Sequence, residues 1–195
     1  TRRPGWRRSK PRRAAPAWRT DPVPVHGELD PFVTALPADG VLAGLDLGTK
    51  TIGIALSDVR QTVASPFDTI RRRKFSLDAQ ELLEVLTLRR AVGIVLGLPL
   101  NMDGSEGPRC QSTRAFARNL SRLTELPIGF WDERLSSFAA EQMLIEAGTR
   151  RARRAEVIDK VAAGIILQGF LDRLAEMRRS QAGQVDPDPY VRPDE

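Results

Sequence analysis

A single cysteine, Cys110, and a single histidine, His26, are all that this 195-residue chain offers of the residue types behind disulfide scaffolds and zinc centres. One cysteine excludes a disulfide framework and any metal site built on several thiolates. The histidine stands in a Pro-rich stretch, which removes His-dependent acid–base or metal chemistry from the core. No apolar run reaches the roughly 20 residues of a membrane span, and the first residues carry no hydrophobic stretch of the secretory kind. The expected location is cytoplasmic, with no membrane partner.

Acidic residues are missing from one region in particular. Residues 1–20 hold eight basic side chains and no acidic one, and without them the net charge of +5 becomes −3. The basic excess is therefore a property of the leading segment. Trp6 and Trp18 interleave with its arginines, a composition suited to neutralising phosphates and stacking on bases. A solvated, idle extension has the same composition.

The remainder reads as one domain, which 195 residues accommodate. Residues 1–38 are rich in Pro and Arg without periodicity and are expected to be a disordered extension. Residues 39–178 form the domain, and 179–195 a second disordered tail. Within the domain, 41–47 and 51–58 alternate as a β-hairpin, and a third strand is expected near 62–70. Ser76 is expected to cap a helix to about Arg90, with Ala79, Leu82, Leu83 and Leu86 on its apolar face. Val92–Leu98 is continuously apolar, as in a parallel strand covered on both faces. After a polar loop, Asn101–Gly107, Pro108 opens a helix to about Thr124. Ile128–Trp131 is a further strand. Ser136 or Ser137 caps a helix ending at Gly148, and a long, nearly all-round apolar helix runs from about Glu156 to Arg178.

The densest signal is the hairpin. Val41, Ala43, Leu45 and Leu47 fall on one face, and Leu42, Gly44 and Asp46 on the other. A carboxylate on so apolar a strand is costly unless a cation meets it. Gly44, Gly48 and Gly53 remove side chains around it, as where a ligand or backbone comes close. Two further acidic sites stand at topologically telling places. Asp132-Glu133 closes the last strand, where ligands gather in open α/β sheets, and Asp159 is expected in the first turn of the long helix. Converging, these acids would repel strongly unless a divalent cation neutralised them. Oxygen-only ligands select Mg2+ or Mn2+, and two such ions about 4 Å apart serve in-line attack of water on a phosphodiester. Taken singly, each acid has a plainer role. Asp46 or Asp132 fits a turn cap, Glu133 a surface pair with Arg134, and Asp159 a favourable place on its helix dipole, worth roughly 0.3–1 kcal/mol. The inference rests on their joint occurrence in this order.

At this point four motifs become recognisable: Gly44–Asp58, Val95–Arg109, Asp132–Ser137 and Ile158–Ala163. Together they resemble the YqgF family, also called RuvX, of Holliday junction resolvases and pre-16S rRNA nucleases, over about residues 41–175. The resemblance implies an α/β ribonuclease H-like fold of the RuvC type, a mixed five-stranded sheet flanked by helices. It implies a divalent-metal phosphodiesterase that trims the 5′ end of the small-subunit ribosomal RNA precursor, with branched or single-stranded DNA as further substrates. Its partners would be nucleic acid and pre-ribosomal particles. By position, Asp46, Glu133 and Asp159 are the implied catalytic metal ligands for two ions. Ser136-Ser137 stand where the family often has threonines, and the Arg-rich extension lies outside its compact pattern.

Phosphate contacts are expected from outside the acids, from Lys50 after the hairpin turn and from Arg109 and Arg134 beside the two nearest loops. Arg114, Arg118 and Arg122 recur every four residues, a pattern that fits a nucleic-acid footprint and, better, a solvated helix face. Two other readings compete. The Asp-x-Gly-Thr-Lys turn also resembles the phosphate hairpin of sugar kinases and Hsp70-type ATPases, but those proteins duplicate this unit and the chain has no second copy. A non-catalytic nucleic-acid-binding module of the YqgF-like type is the other, although a pure binder has no reason to gather negative charge where phosphates dock.

Overall fold

Two consecutive, almost continuously apolar runs form a hairpin whose faces are both covered. The structure, a computed structural model, describes residues 25–135 and 151–183. The runs are β2 (Val41–Leu47) and β3 (Thr51–Ser57), preceded by β1 (Val25–His26) and α1 (Leu29–Ala35). They are followed by β4 (Ala64–Arg71), α2 (Phe75–Leu88), β5 (Ala91–Leu98), α3 (Pro108–Leu120) and β6 (Ile128–Asp132). A single 3-10 turn, Glu133–Leu135, follows β6, and the last described helix is α4 (Arg151–Gly183).

The strands form one sheet in the order β1-β6-β5-β2-β3-β4. β2, β3 and β4 are antiparallel neighbours, while β2–β5, β5–β6 and β1–β6 are parallel. Apart from β1 this is the mixed ribonuclease H-like sheet expected from the element order, with helices on both faces. Ala43, Leu45 and Leu47 join Ile52, Ile54, Ile94 and Leu96 in a core closed by Ala79, Leu82 and Leu86 of α2 and Phe116, Ala117 and Leu120 of α3. The opposite face carries a second core, where Leu42, Ala55 and Val95 meet Ile166, Leu167, Phe170, Leu171 and Leu174 of α4. Asp46 belongs to that second face, at the end of the sheet where β5 and β6 terminate.

Four sequence expectations need correction. The sheet has six strands, because Val25 and His26 pair in parallel with Ile128 and Gly129 of β6. Residues 25–38, expected as part of a disordered extension, contain β1 and α1, and Phe32 of α1 is 1% exposed. The signal for α1 is the spacing Leu29, Phe32, Val33, Leu36, an amphipathic turn inside Pro-rich surroundings. All four side chains pack in the α4-side core, and the Phe32 and Phe170 rings meet at a tilt of 52° with centroids 5.4 Å apart. At α2 the N-cap is Lys74 without a side-chain cap, and the buried Asp78 accepts the Arg73 backbone N–H at 3.0 Å. The long helix α4 starts at Arg151, ahead of the expected Glu156, so Asp159 lies beyond its first turn and away from the helix dipole's positive end. Residues 1–24, 184–195 and the expected helix after Ser136 lie outside the described residues. No described helix is long and apolar enough to cross a membrane.

Candidate active site

The site is assembled from backbone first. Asp46 pairs across the hairpin with Gly53, and a Cβ on Gly53 would lie 2.0 Å from the carbonyl oxygen of Asp159. One strand over, a Cβ on Gly44 would lie 2.9 Å from the Ala163 carbonyl oxygen and 2.6 Å from Leu167 Cβ. These two glycines, singled out in the sequence for close approach, let α4 lie on bare sheet and bring Asp159 beside Asp46. Gly48 serves the turn itself, since a Cβ there would lie 3.1 Å from the Thr51 carbonyl oxygen. The Thr51 hydroxyl donates to the Asp159 carboxylate, fixing the helix acid to the start of β3.

Glu133 arrives from the other side. Gly97 on β5 pairs with Trp131 on β6, and a Cβ there would lie 2.6 Å from Glu133 Oε1 and 2.5 Å from Ile166 Cδ1. The missing side chain is the space the carboxylate occupies. Gly97 carries little signal in the sequence because it sits in a continuous apolar run, where a glycine reads as packing.

The charges report the convergence. Burial first, then the Asp159 carboxylate, push the Asp46 carboxyl up to about 6, against the pull of the Arg109 guanidinium. Burial and then the Asp46 carboxylate push Glu133 up to about 7, again opposed by Arg109. Asp46 is thus the shared member, coupled to Asp159 on one side and Glu133 on the other. Asp132 behaves differently. The Arg134 guanidinium grips it at 2.7 to 3.1 Å and holds its carboxyl below the usual carboxylate range. Glu133, flanked by that clasp, is the acid that faces Asp46.

The three expected phosphate ligands separate. Arg109, in the first turn of α3, is the cation acting on both raised acids. Arg134 is committed to Asp132 and reaches towards the carbonyls of Asn101 and Met102 at 3.5 and 3.4 Å. Lys50 is exposed at the hairpin turn and exerts no comparable pull on either raised acid. The loop Asn101–Gly107 is held by turn bonds, from Gly104 N–H to the Asn101 carbonyl at 2.8 Å and from Asn101 N–H to the Ser105 carbonyl at 3.0 Å. Arg114 anchors its end by pairing with Glu106 while lying 4.9 Å over the Phe130 ring.

The described residues hold no three acidic, histidine or cysteine side chains already close enough to cage an ion. The donor chemistry nonetheless fits a hard divalent cation. The converging groups are carboxylates without nitrogen or sulfur, two have their carboxyls pushed up by burial and then by a neighbouring carboxylate, and the bare Gly97 leaves the space that one of them occupies.

Known proteins give this geometry a context. A protein of Ruegeria sp. (strain TM1040) named "Putative pre-16S rRNA nuclease" is 64% identical over 156 residues, spanning 80% of this chain and 99% of its own. A protein of the same name in Ruegeria pomeroyi is 66% identical over 149 residues, spanning 76% of this chain and 97% of its own. Among solved structures, the yeast mitochondrial Holliday junction resolvase Ydc2 is similar at 13% identity and a TM-score of 0.49, over 80% of this chain and 88% of that one, a likeness too loose to argue from. The sequence profile described as "RuvX: Holliday junction resolvase" matches residues 40–173, a span that contains Asp46, Glu133 and Asp159, and this chain belongs to that family.

Proposed function

We propose that the chain is a divalent-metal-dependent phosphodiesterase that cleaves nucleic acid, with the 5′ end of the small-subunit ribosomal RNA precursor as its principal substrate. The observation that carries this reading is the coupling of Asp46 to both Asp159 and Glu133 at the end of the sheet, three acids drawn from three separate elements. The relatives' printed name supports the choice of RNA precursor, and the chain spans nearly their full length. Such a substrate makes pre-ribosomal particles the partner and the cytoplasm the place. Branched and single-stranded DNA are further substrates of the same chemistry.

Asp46, Glu133 and Asp159 would hold Mg2+ or Mn2+, with Asp46 shared between two positions. When bound, the cations supply Lewis acidity and an activated water for in-line attack on the phosphodiester. The chain's own residues do the rest. Thr51 orients the Asp159 carboxylate, and Gly97 leaves Glu133 facing Asp46. Arg109 offers a guanidinium fork to a phosphate oxygen beside the acids. The Asp132–Arg134 clasp fixes the turn that carries Glu133.

A cleavage assay with defined RNA, single-stranded DNA and branched DNA, each with Mg2+, Mn2+ or chelator, tests this. Metal-dependent cleavage with the precursor RNA preferred is the expected result. Tight binding of every substrate without cleavage under any condition would replace the enzyme with a binding module.

A further inference from the structure

Large apolar side chains left in water are ordinary when scattered, so only an unusual placement carries meaning. Among the described residues Met102 is the extreme case, 90% exposed. Val59, Val63, Leu88 and Leu123 are exposed too, but they border the end of the sheet remote from the acids, where β3 ends and β5 and β6 begin. Leu77 belongs to α2, which covers the face that Asp46 does not share. Met102 stands at the acid end, in the loop between β5 and α3. Leu98, just before that loop, pairs with Asp132, and Arg109 follows just after it.

The backbone that carries Met102 is fixed, although its side chain meets water. Asp103 Oδ1 accepts the Ser105 backbone N–H at 2.9 Å and the Ser105 hydroxyl at 2.6 Å, and Asn101 Nδ2 donates to Ser105 Oγ at 2.8 Å. Arg134 Nη1 comes to 3.4 Å from the Met102 carbonyl oxygen while Nη2 donates to Asp132 at 2.7 Å. One guanidinium thus ties the loop to the turn that carries Glu133. An apolar side chain held in water at a fixed place adds nothing to the fold and suits an apolar surface arriving from outside. The loop's charges say which part of a nucleic acid that is. Asn101–Gly107 contains two carboxylates, Asp103 and Glu106, and no cation. Glu106 is paired with Arg114, whereas Asp103 keeps its charge, its carboxyl held below the usual range by the Ser105 hydroxyl and backbone N–H. Such a tip repels phosphates. A thioether packs well on the face of a base, and methionine is among the side chains that wedge between stacked bases.

We propose that Met102 packs on the face of a base beside the bond being cleaved and parts it from its neighbour, while Arg109 holds the phosphate. The proposal rests on the nuclease reading for the position of that bond. Parting two bases frees the backbone between them to take the in-line geometry that attack on a phosphodiester needs. It also leaves the contact indifferent to sequence, since every base has an apolar face.

The test uses a short single-stranded RNA spanning the 5′ end of the small-subunit precursor, with 2-aminopurine, which brightens when unstacked, walked along it. The full chain is titrated in chelator, so that nothing is cleaved. At one position the parent should brighten the label several-fold, and Met102→Ala should not. Met102→Ala should bind that RNA about 5- to 10-fold more weakly with an unchanged log–log salt slope, because no phosphate contact is lost. Arg109→Gln should instead lower the slope by about 0.7. Met102→Leu should keep both affinity and brightening, and Leu88→Ala, 77% exposed at the remote end of the sheet, should match the parent. Removing the base at the brightened position should erase the difference between the parent and Met102→Ala. Parental affinity and brightening in Met102→Ala would overturn the contact, as would a loss of affinity that persists on the abasic RNA. Absence of metal-dependent cleavage by the parent, with the brightening intact, would overturn the nuclease reading instead and leave the base contact standing.

Discussion

Gly97 and Glu133 stand so close that a Cβ on the glycine would lie 2.6 Å from the carboxylate oxygen Oε1. The neighbours it would meet, Glu133 and Ile166, are both ends of side chains, which can yield at a cost. Gly97→Ala should therefore fold, losing about 1–3 kcal/mol to overpacking, while the displaced carboxylate lowers turnover by about 100-fold. Thermal unfolding read beside single-turnover cleavage separates the two effects. Parental turnover in Gly97→Ala would show that Glu133 has no fixed role.

Gly53 poses the opposite case, because the atom in the way is backbone. A Cβ there would lie 2.0 Å from the Asp159 carbonyl oxygen and 2.4 Å from its carbon. Gly53→Ala must push α4 off the sheet or distort β3, so a large fall in unfolding temperature is expected along with loss of activity. A stable, active Gly53→Ala would mean that α4 does not rest on β3 as described.

The raised carboxyls make metal-free stability depend on pH in a stated direction. Asp46 titrates near 6 and Glu133 near 7 when folded, both above their ordinary values of 3.8 and 4.5. Between those limits the folded state binds more protons than the unfolded one. Stability is therefore fully present below about pH 4 and is lost as pH rises through 6 and 7. The loss is of order 3 kcal/mol for Asp46, and the figure for the more open Glu133 is discounted for solvent screening. Metal-free protein should melt lower at pH 8 than at pH 5 by a margin that shrinks in Asp46→Asn. Mn2+ should restore the melting temperature at pH 8 more than at pH 5, since its ligands must first lose their protons. An equal pH 5-to-8 drop in the parent and in Asp46→Asn would count against the burial of these acids.

Much of this site is legible in the sequence alone. The hairpin alternation places Asp46 on the face opposite Leu45 and Leu47, and Gly44 and Gly53 declare a close approach that α4 fulfils. Period and glycine position are local properties, and they survive folding. What the sequence hides depends on distant partners. Nothing in Asp132-Glu133-Arg134 says which acid Arg134 will take, since both geometries are reachable from one short turn. Arg109 and Lys50 look alike in the sequence, and only the packing of α3 against β5 gives one of them the acids. The α1 turn at Leu29–Leu36 carries its signal openly, but the Pro-rich composition around it outweighs four correctly spaced apolar residues.

The loop glycines should separate under substitution. Gly104 has φ +86°, in the left-handed region, whereas Gly107 does not, and a Cβ on Gly107 would meet Asn101 Oδ1 at an ordinary 3.4 Å. Gly104→Ala should cost about 1–2 kcal/mol of local strain and impair turnover more than global stability. Gly107→Ala should be nearly silent in both. Equal effects in the two variants, measured by kcat and unfolding midpoint, would show that the turn geometry is not what matters.

Residues 1–20 carry eight basic side chains against a remainder of −3, so long-range attraction to nucleic acid should come mainly from them. Deleting them should weaken binding and flatten its salt dependence by about half of the ceiling of roughly 5 to 7 that eight phosphate contacts would set. Turnover at saturating substrate should hold, because the acids lie elsewhere. Unchanged affinity and salt slope would show these arginines to be idle.

Cleavage of the small-subunit precursor RNA by the Asp46→Asn protein tests the central claim most directly, because Asp46 is the acid coupled to both others. With Mg2+ or Mn2+ present, the account predicts cleavage by the parent, its loss on chelation, and none above background by Asp46→Asn, which still folds and binds the RNA. Undiminished cleavage by Asp46→Asn would contradict it.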